Sequence, residues 1–114
     1  YQKSGIEFFT PNNYSQQLGY MKREAGYEIQ PHIHKPLLRE VEYTNEVLFI
    51  KSGKVRVVLY SESEEYLFER ILYPGDVILL IRGGHGFDFL EESEVIEVKQ
   101  GPYAGDEDKR RFNK

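Results

Sequence analysis

Short β-rich runs, each ended by a turn signal, constrain this chain more than any other feature. Between Glu46 and Gln100 the segments "EVLFI", "KVRVVLY", "EEYLFERILY", "DVILLI" and "EVIEVKQ" follow one another. None is long enough, or periodic enough at 3.6 residues, for an ordinary helix. Ser52-Gly53 between the first two runs is written as a hairpin turn joining Glu46–Ile50 to Lys54–Tyr60. Pro74-Gly75 supplies the central residues of a type II turn, proline fixing φ and glycine taking the positive value. "EEYLFERILY" places apolar side chains on both parities and is expected to be partly buried on both faces. "DVILLI" reads as a strand covered on both sides, and "EVIEVKQ" as one with a single buried face. "PNNYSQQL" is the one stretch expected to make a helical turn. The class that follows is all-β, a sandwich or barrel turning about every 8 to 12 residues.

Length and charge narrow the functions. A chain of 114 residues is long enough for one core, so a single domain over 1–114 is expected. Hydrophobic residues make up 39% and charged residues 30%, the balance of a soluble globular protein. A net charge of −4 without a clustered basic stretch argues against nucleic acid as a partner. The absence of cysteine removes disulfides and thiolate chemistry. No apolar run reaches membrane-spanning length and the first residues lack a signal-peptide layout, so a membrane partner is not expected and a cytoplasmic location is the default. The charged stretch in 105–114, "GDEDKRRFNK", reads as a solvated end in preference to a partner-binding arm.

The three histidines carry the chemistry. Two stand in "QPHIHKP", and in an extended segment His32 and His34 point to one side while Ile33 points to the other. Two imidazoles so spaced can take adjacent positions on one metal ion. The third histidine, His85, lies between glycines in "IRGGHGF", where a close backbone approach is possible. Glu46, at the mouth of its strand, can complete the set. Three imidazoles and a carboxylate suit Fe, Mn, Ni, Zn or Cu and not Ca or Mg. The plain alternative is a solvated His-x-His pair.

These residues resemble the two motifs of the cupin family. Gly26, His32, His34, Glu46 and Gly53 occupy the places of the first motif (residues 26–53), and "PGD" followed by His85 those of the second (75–89). The resemblance implies a double-stranded β-helix, a jelly-roll barrel akin to the RmlC-like cupins, holding one divalent transition metal on His32, His34, Glu46 and His85. Eleven residues separate His34 from Glu46, more than is usual in the family, so Glu40 and Glu42 compete for the carboxylate role. Glu46 is preferred because it keeps the family's distance to Gly53.

The function expected from this resemblance is a metal-dependent enzyme of isomerase or dioxygenase type acting on a small polar molecule such as a sugar or organic acid. Two alternatives stand beside it: a metal-free nucleotide-sugar ketoisomerase or epimerase working through His32 and His34, and a binding module without turnover. Arg39, Arg56 and Arg82 are candidates to clamp a substrate anion. Tyr20, Tyr43, Tyr60 and Tyr66 are candidates to stack on a sugar or supply a proton. No residue is assigned as catalytic. The loop from Lys35 to Asn45, with Leu37 and Leu38, reads equally as a lid and as a homodimer contact.

Overall fold

The computed structural model describes residues 1–113. Eight strands and one 3-10 turn make up its regular structure: β1 (Gly5–Phe8), β2 (Gly19–Lys22), β3 (Glu46–Ser52), β4 (Val55–Tyr60), β5 (Tyr66–Leu72), β6 (Val77–Leu80), β7 (Gly84–Phe89), β8 (Glu94–Lys99) and η1 (Gly105–Asp108). The protein is therefore all-β, with every strand pair antiparallel. Its strands form three sheets, β1-β2, β6-β3-β8 and β5-β4-β7, none of them closed into a barrel. The chain gathers into two compact units, Tyr1–Glu42 and a second that starts at Tyr43.

In the first unit, β1 and β2 form a two-stranded ribbon with Ile6 opposite Met21. "PNNYSQQL" is a turn and not the expected helical turn: the Tyr14 amide donates to the Pro11 carbonyl, and Gln17 holds the loop through the Pro11 and Tyr14 carbonyls. Proline, two asparagines and a serine favour such local bonds over a helical ladder. From Tyr27 to Glu42 no strand or helix forms, so "QPHIHKP" is not the strand expected of it. Pro31 and Pro36 remove two of the amide donors a ladder would need.

In the second unit two three-stranded sheets share one core. Ile50 of β3, Val55 and Val57 of β4 and Leu72 of β5 are buried, with Ile78, Phe87 and Val95 packed against them. The two runs expected from the sequence form strands, β3 running on two residues past Ile50 and β4 starting one residue after Lys54, but the expected hairpin between them does not form. They belong to different sheets, and Ser52-Gly53-Lys54 carries the chain across the core. Gly53 has φ +91°, and a Cβ there would overlap Ser93 and the Glu92 carbonyl. Ser93 fills that space and accepts from the Lys54 amide (3.0 Å). The true hairpin is β4-β5, closed by the Ser61 amide on the Glu65 carbonyl (2.8 Å). At Tyr73-Pro74-Gly75-Asp76 the type II turn forms as expected, with Gly75 at φ +92° and the Asp76 amide donating to Tyr73.

Burial departs from the alternation in two strands. β5 is exposed from Tyr66 to Arg70 and closes onto the core only at Ile71 and Leu72. In β8, Val95, Glu97 and Lys99 stand opposite Ile50, Leu48 and Glu46, on the core side of the sheet. Ile96 and Val98 face outward, 53% and 58% exposed. The phase of β8 is thus the reverse of its hydrophobic pattern, fixed by its ladder to β3.

Candidate functional site

Strand register brings two of the four expected ligands together. Glu46 shares the parity of Leu48 and Ile50, the core side of β3, and pairs with Leu80 and Lys99 on its two neighbours. His85 sits opposite Leu59 on β7, on the parity of Phe87, the core side of the other sheet. Residues 39 apart in sequence therefore converge from two sheets, and His85 Nε2 lies 3.1 Å from Glu46 Oε2. Glu46 is largely buried, its side chain 14% exposed, and His85 keeps 31%. Phe87 stands beside the imidazole, ring centroids 5.5 Å apart.

A cation and a second carboxylate extend the pair. Lys99 Nζ lies 3.9 Å from the other Glu46 oxygen and 3.6 Å from Asp108 in η1. Asp108 in turn accepts from the Thr44 hydroxyl. His85, Glu46, Lys99, Asp108 and Thr44 form one chain of polar contacts at an end of the core. Sequence reasoning missed Lys99, Asp108 and Thr44. Lys99 is one strand position of an alternating run, and only its register opposite Glu46 reveals it. Asp108 lies in the stretch read as a solvated tail, which instead folds back: η1 reaches Lys99, Arg110 donates to the Glu62 carbonyl (3.2 Å), and Phe112 packs edge-on to Tyr60.

The other two expected ligands lie in the first unit. His32 and His34 are exposed, with ring centroids 5.1 Å apart and planes at 73°, and His32 Nδ1 is 2.8 Å from the Gln30 carbonyl. The rings are neighbours although the backbone is not a strand. Glu40 and Glu42, the competing carboxylates, are exposed in the same irregular stretch, as are Leu37 and Leu38. Among the described residues no three histidine, aspartate or glutamate side chains are gathered as a ready metal site.

The spacing of the donors in the second unit suits a transition metal. Such ions bind imidazole nitrogen and carboxylate oxygen at about 2.0–2.2 Å, which sets adjacent donors about 3 Å apart. The 3.1 Å between His85 and Glu46 fits. Of the arginines considered as substrate clamps, Arg56 is engaged elsewhere: its Nε and Nη2 both donate to Asp88 Oδ2, at 3.1 and 3.0 Å. Arg82 lies over the Tyr43 ring, 5.6 Å from its centroid. No helix among the described residues is long and apolar enough to cross a membrane.

Comparison of the chain with protein-family models, with curated proteins and with solved structures finds no match in any of the three.

Proposed function

We propose that this protein is a metal-binding domain of the cupin type, acting on a small polar molecule, with Glu46 and His85 as two ligands of a divalent transition metal. The observation that carries the reading is the 3.1 Å approach of Glu46 and His85 from two different sheets. Every connection of the second unit except β4-β5 passes from one sheet to the other, the chain path a jelly roll needs. His32 and His34 are the further donors this reading assigns, as the resemblance to the family implies. A metal of this kind, when bound, supplies a Lewis acid or activates dioxygen. The residues of the chain do the rest: Glu46 and His85 orient the site, Phe87 keeps one wall apolar, and Lys99 stabilises anionic charge beside the carboxylate.

Lys99 also favours a second reading, free of metal. An ammonium 3.9 Å from the Glu46 carboxylate occupies the place a metal cation would contest. His85 hydrogen-bonded to Glu46 then has the form of a general base oriented by a carboxylate, suited to proton transfer on a keto-sugar or similar acid. One experiment separates the two. Protein purified without a metal-affinity step is incubated with iron, manganese, nickel, zinc and copper in turn, desalted, and analysed for metal by mass spectrometry. The metal reading expects one equivalent, lost in His85→Ala and in the His32→Ala/His34→Ala double variant. No retained metal with any ion overturns it in favour of the acid-base reading.

A homodimer is part of the proposal. The outer face of β6-β3-β8 carries Val47, Phe49, Val77, Leu79, Ile96 and Val98. At its rim Lys51 and Glu94 form an ion pair (3.6 Å). An apolar centre with a neutralised rim has the layout of a protein interface.

A further inference from the structure

The outer face of β5-β4-β7 holds a cleft that the Glu46-His85 site does not use. Its volume is about 350 Å³, and Arg56, Val58, Tyr60, Tyr66, Glu69 and Asp88 line it. This is the small end of the range for ligand sites, about 300–1,000 Å³. The residues belong to one face by register: Arg56 stands opposite Asp88, Val58 opposite Glu69 and Gly86, and Tyr60 opposite Tyr66. Gly86 opens the floor, since a Cβ there would meet nothing within 4 Å.

Two kinds of surface meet in the cleft. Tyr60 and Tyr66 form an aromatic corner, centroids 6.5 Å apart and planes at 82°. Phe112 packs edge-on to Tyr60, 5.1 Å away at 87°. Facing them is a polar network. Arg56 donates twice to Asp88, lies 3.6 Å from Glu69, and Glu69 accepts from the Tyr66 hydroxyl at 3.2 Å. The guanidinium is thus already matched by two carboxylates, which weakens any claim on a phosphate or carboxylate ligand. Those carboxylates in turn already face a cation, which weakens the claim on an amine. Capacity for hydrogen bonds remains, because a carboxylate offers about four lone-pair sites. A neutral ligand with hydroxyls that both donate and accept, and with a C–H face to lay on an aromatic ring, satisfies every surface present.

We propose that this cleft binds a neutral saccharide of one or two pyranose rings, stacked on the Tyr60-Tyr66 corner with its hydroxyls on Arg56, Glu69 and Asp88. The site is independent of the metal reading, because its residues point away from the core that Glu46 and His85 face.

The test is saturation-transfer NMR and amide titration of the full chain with glucose, galactose, mannose, N-acetylglucosamine, maltose and cellobiose at millimolar concentration. Inorganic phosphate and tetramethylammonium chloride serve as charged probes. At least one sugar is expected to bind and to shift amides of β4, β5 and β7. Gly86→Leu, which fills the cleft without touching the core, is expected to weaken binding at least about tenfold, a loss of about 1.4 kcal/mol. Tyr66→Ala, at a 57% exposed position, is expected to do the same and stands in for Gly86→Leu if that variant does not fold. His85→Ala is expected to bind unchanged. Absence of binding by every sugar, survival of binding in both cleft variants, its loss in His85→Ala, or shifts only with phosphate or tetramethylammonium would overturn the proposal.

Discussion

Lys99 decides how the Glu46-His85 pair behaves. It places a positive charge beside the carboxylate that the metal reading needs, and Asp108 holds it on the other side. Removing that charge with Lys99→Met is expected to tighten metal binding about tenfold, allowing for solvent screening of a partly exposed pair. Isothermal titration calorimetry with zinc reads the change, and unchanged or weaker binding counts against Glu46 as a ligand. On the outer face, Tyr66 gives a second prediction. Desolvation, and next the hydrogen bond to Glu69, raise its phenol above the ordinary 10.0. The folded chain then keeps a proton that the unfolded chain releases. Its stabilising contribution is full below about pH 10 and is lost as pH rises through the folded value. Tyrosinate absorbance should show a late-titrating component in the native protein that moves towards 10.0 in Glu69→Gln and is absent in Tyr66→Phe. An unmoved midpoint in Glu69→Gln removes the hydrogen bond as a cause.

Strands were legible because their physics is local. β-Branched residues and Pro74-Gly75 act within a few positions, so β3, β4, β5, β6 and β8 are readable from the chain, while β7, written with Gly84 and Gly86, is not. Pairing was not, because it rests on contacts far apart in sequence: β3 and β4 fall in different sheets, and the turn between them packs Gly53 against Ser93, 40 residues away. Gly53→Ala should therefore cost about 2–5 kcal/mol, combining strain at positive φ with overpacking. Urea denaturation measures it, and a loss below 1 kcal/mol would mean the crossover is not fixed there. Ile50→Ala, fully buried, should cost about 2–5 kcal/mol by the same assay. The reversed phase of β8 was hidden for a related reason: Ile96 and Val98 look like core residues until the ladder to β3 turns them outward.

Across the whole molecule, the structure brings Glu46 and His85 side by side, whereas the extended stretch expected to carry His32 and His34 does not form. Glu46 and His85 meet because two sheets share a core. His32 and His34 lie in a stretch without a ladder, where alternation has no backbone to act through. The apolar face of β6-β3-β8 predicts association: the wild-type chain should sediment as a dimer, and Ile96→Lys with Val98→Lys as a monomer of unchanged strand content. A wild-type monomer at micromolar concentration would dismiss that face as the interface. The folded-back tail has one more consequence. Lys109, Arg110 and Arg111 lie between two anchors, Asp108 on Lys99 and Phe112 on Tyr60. Any cation that takes Glu46 from Lys99 leaves the ammonium to Asp108 alone and tightens the first anchor. The rate at which trypsin clips these three basic residues thus becomes a clock for events at Glu46, slowing when the site fills.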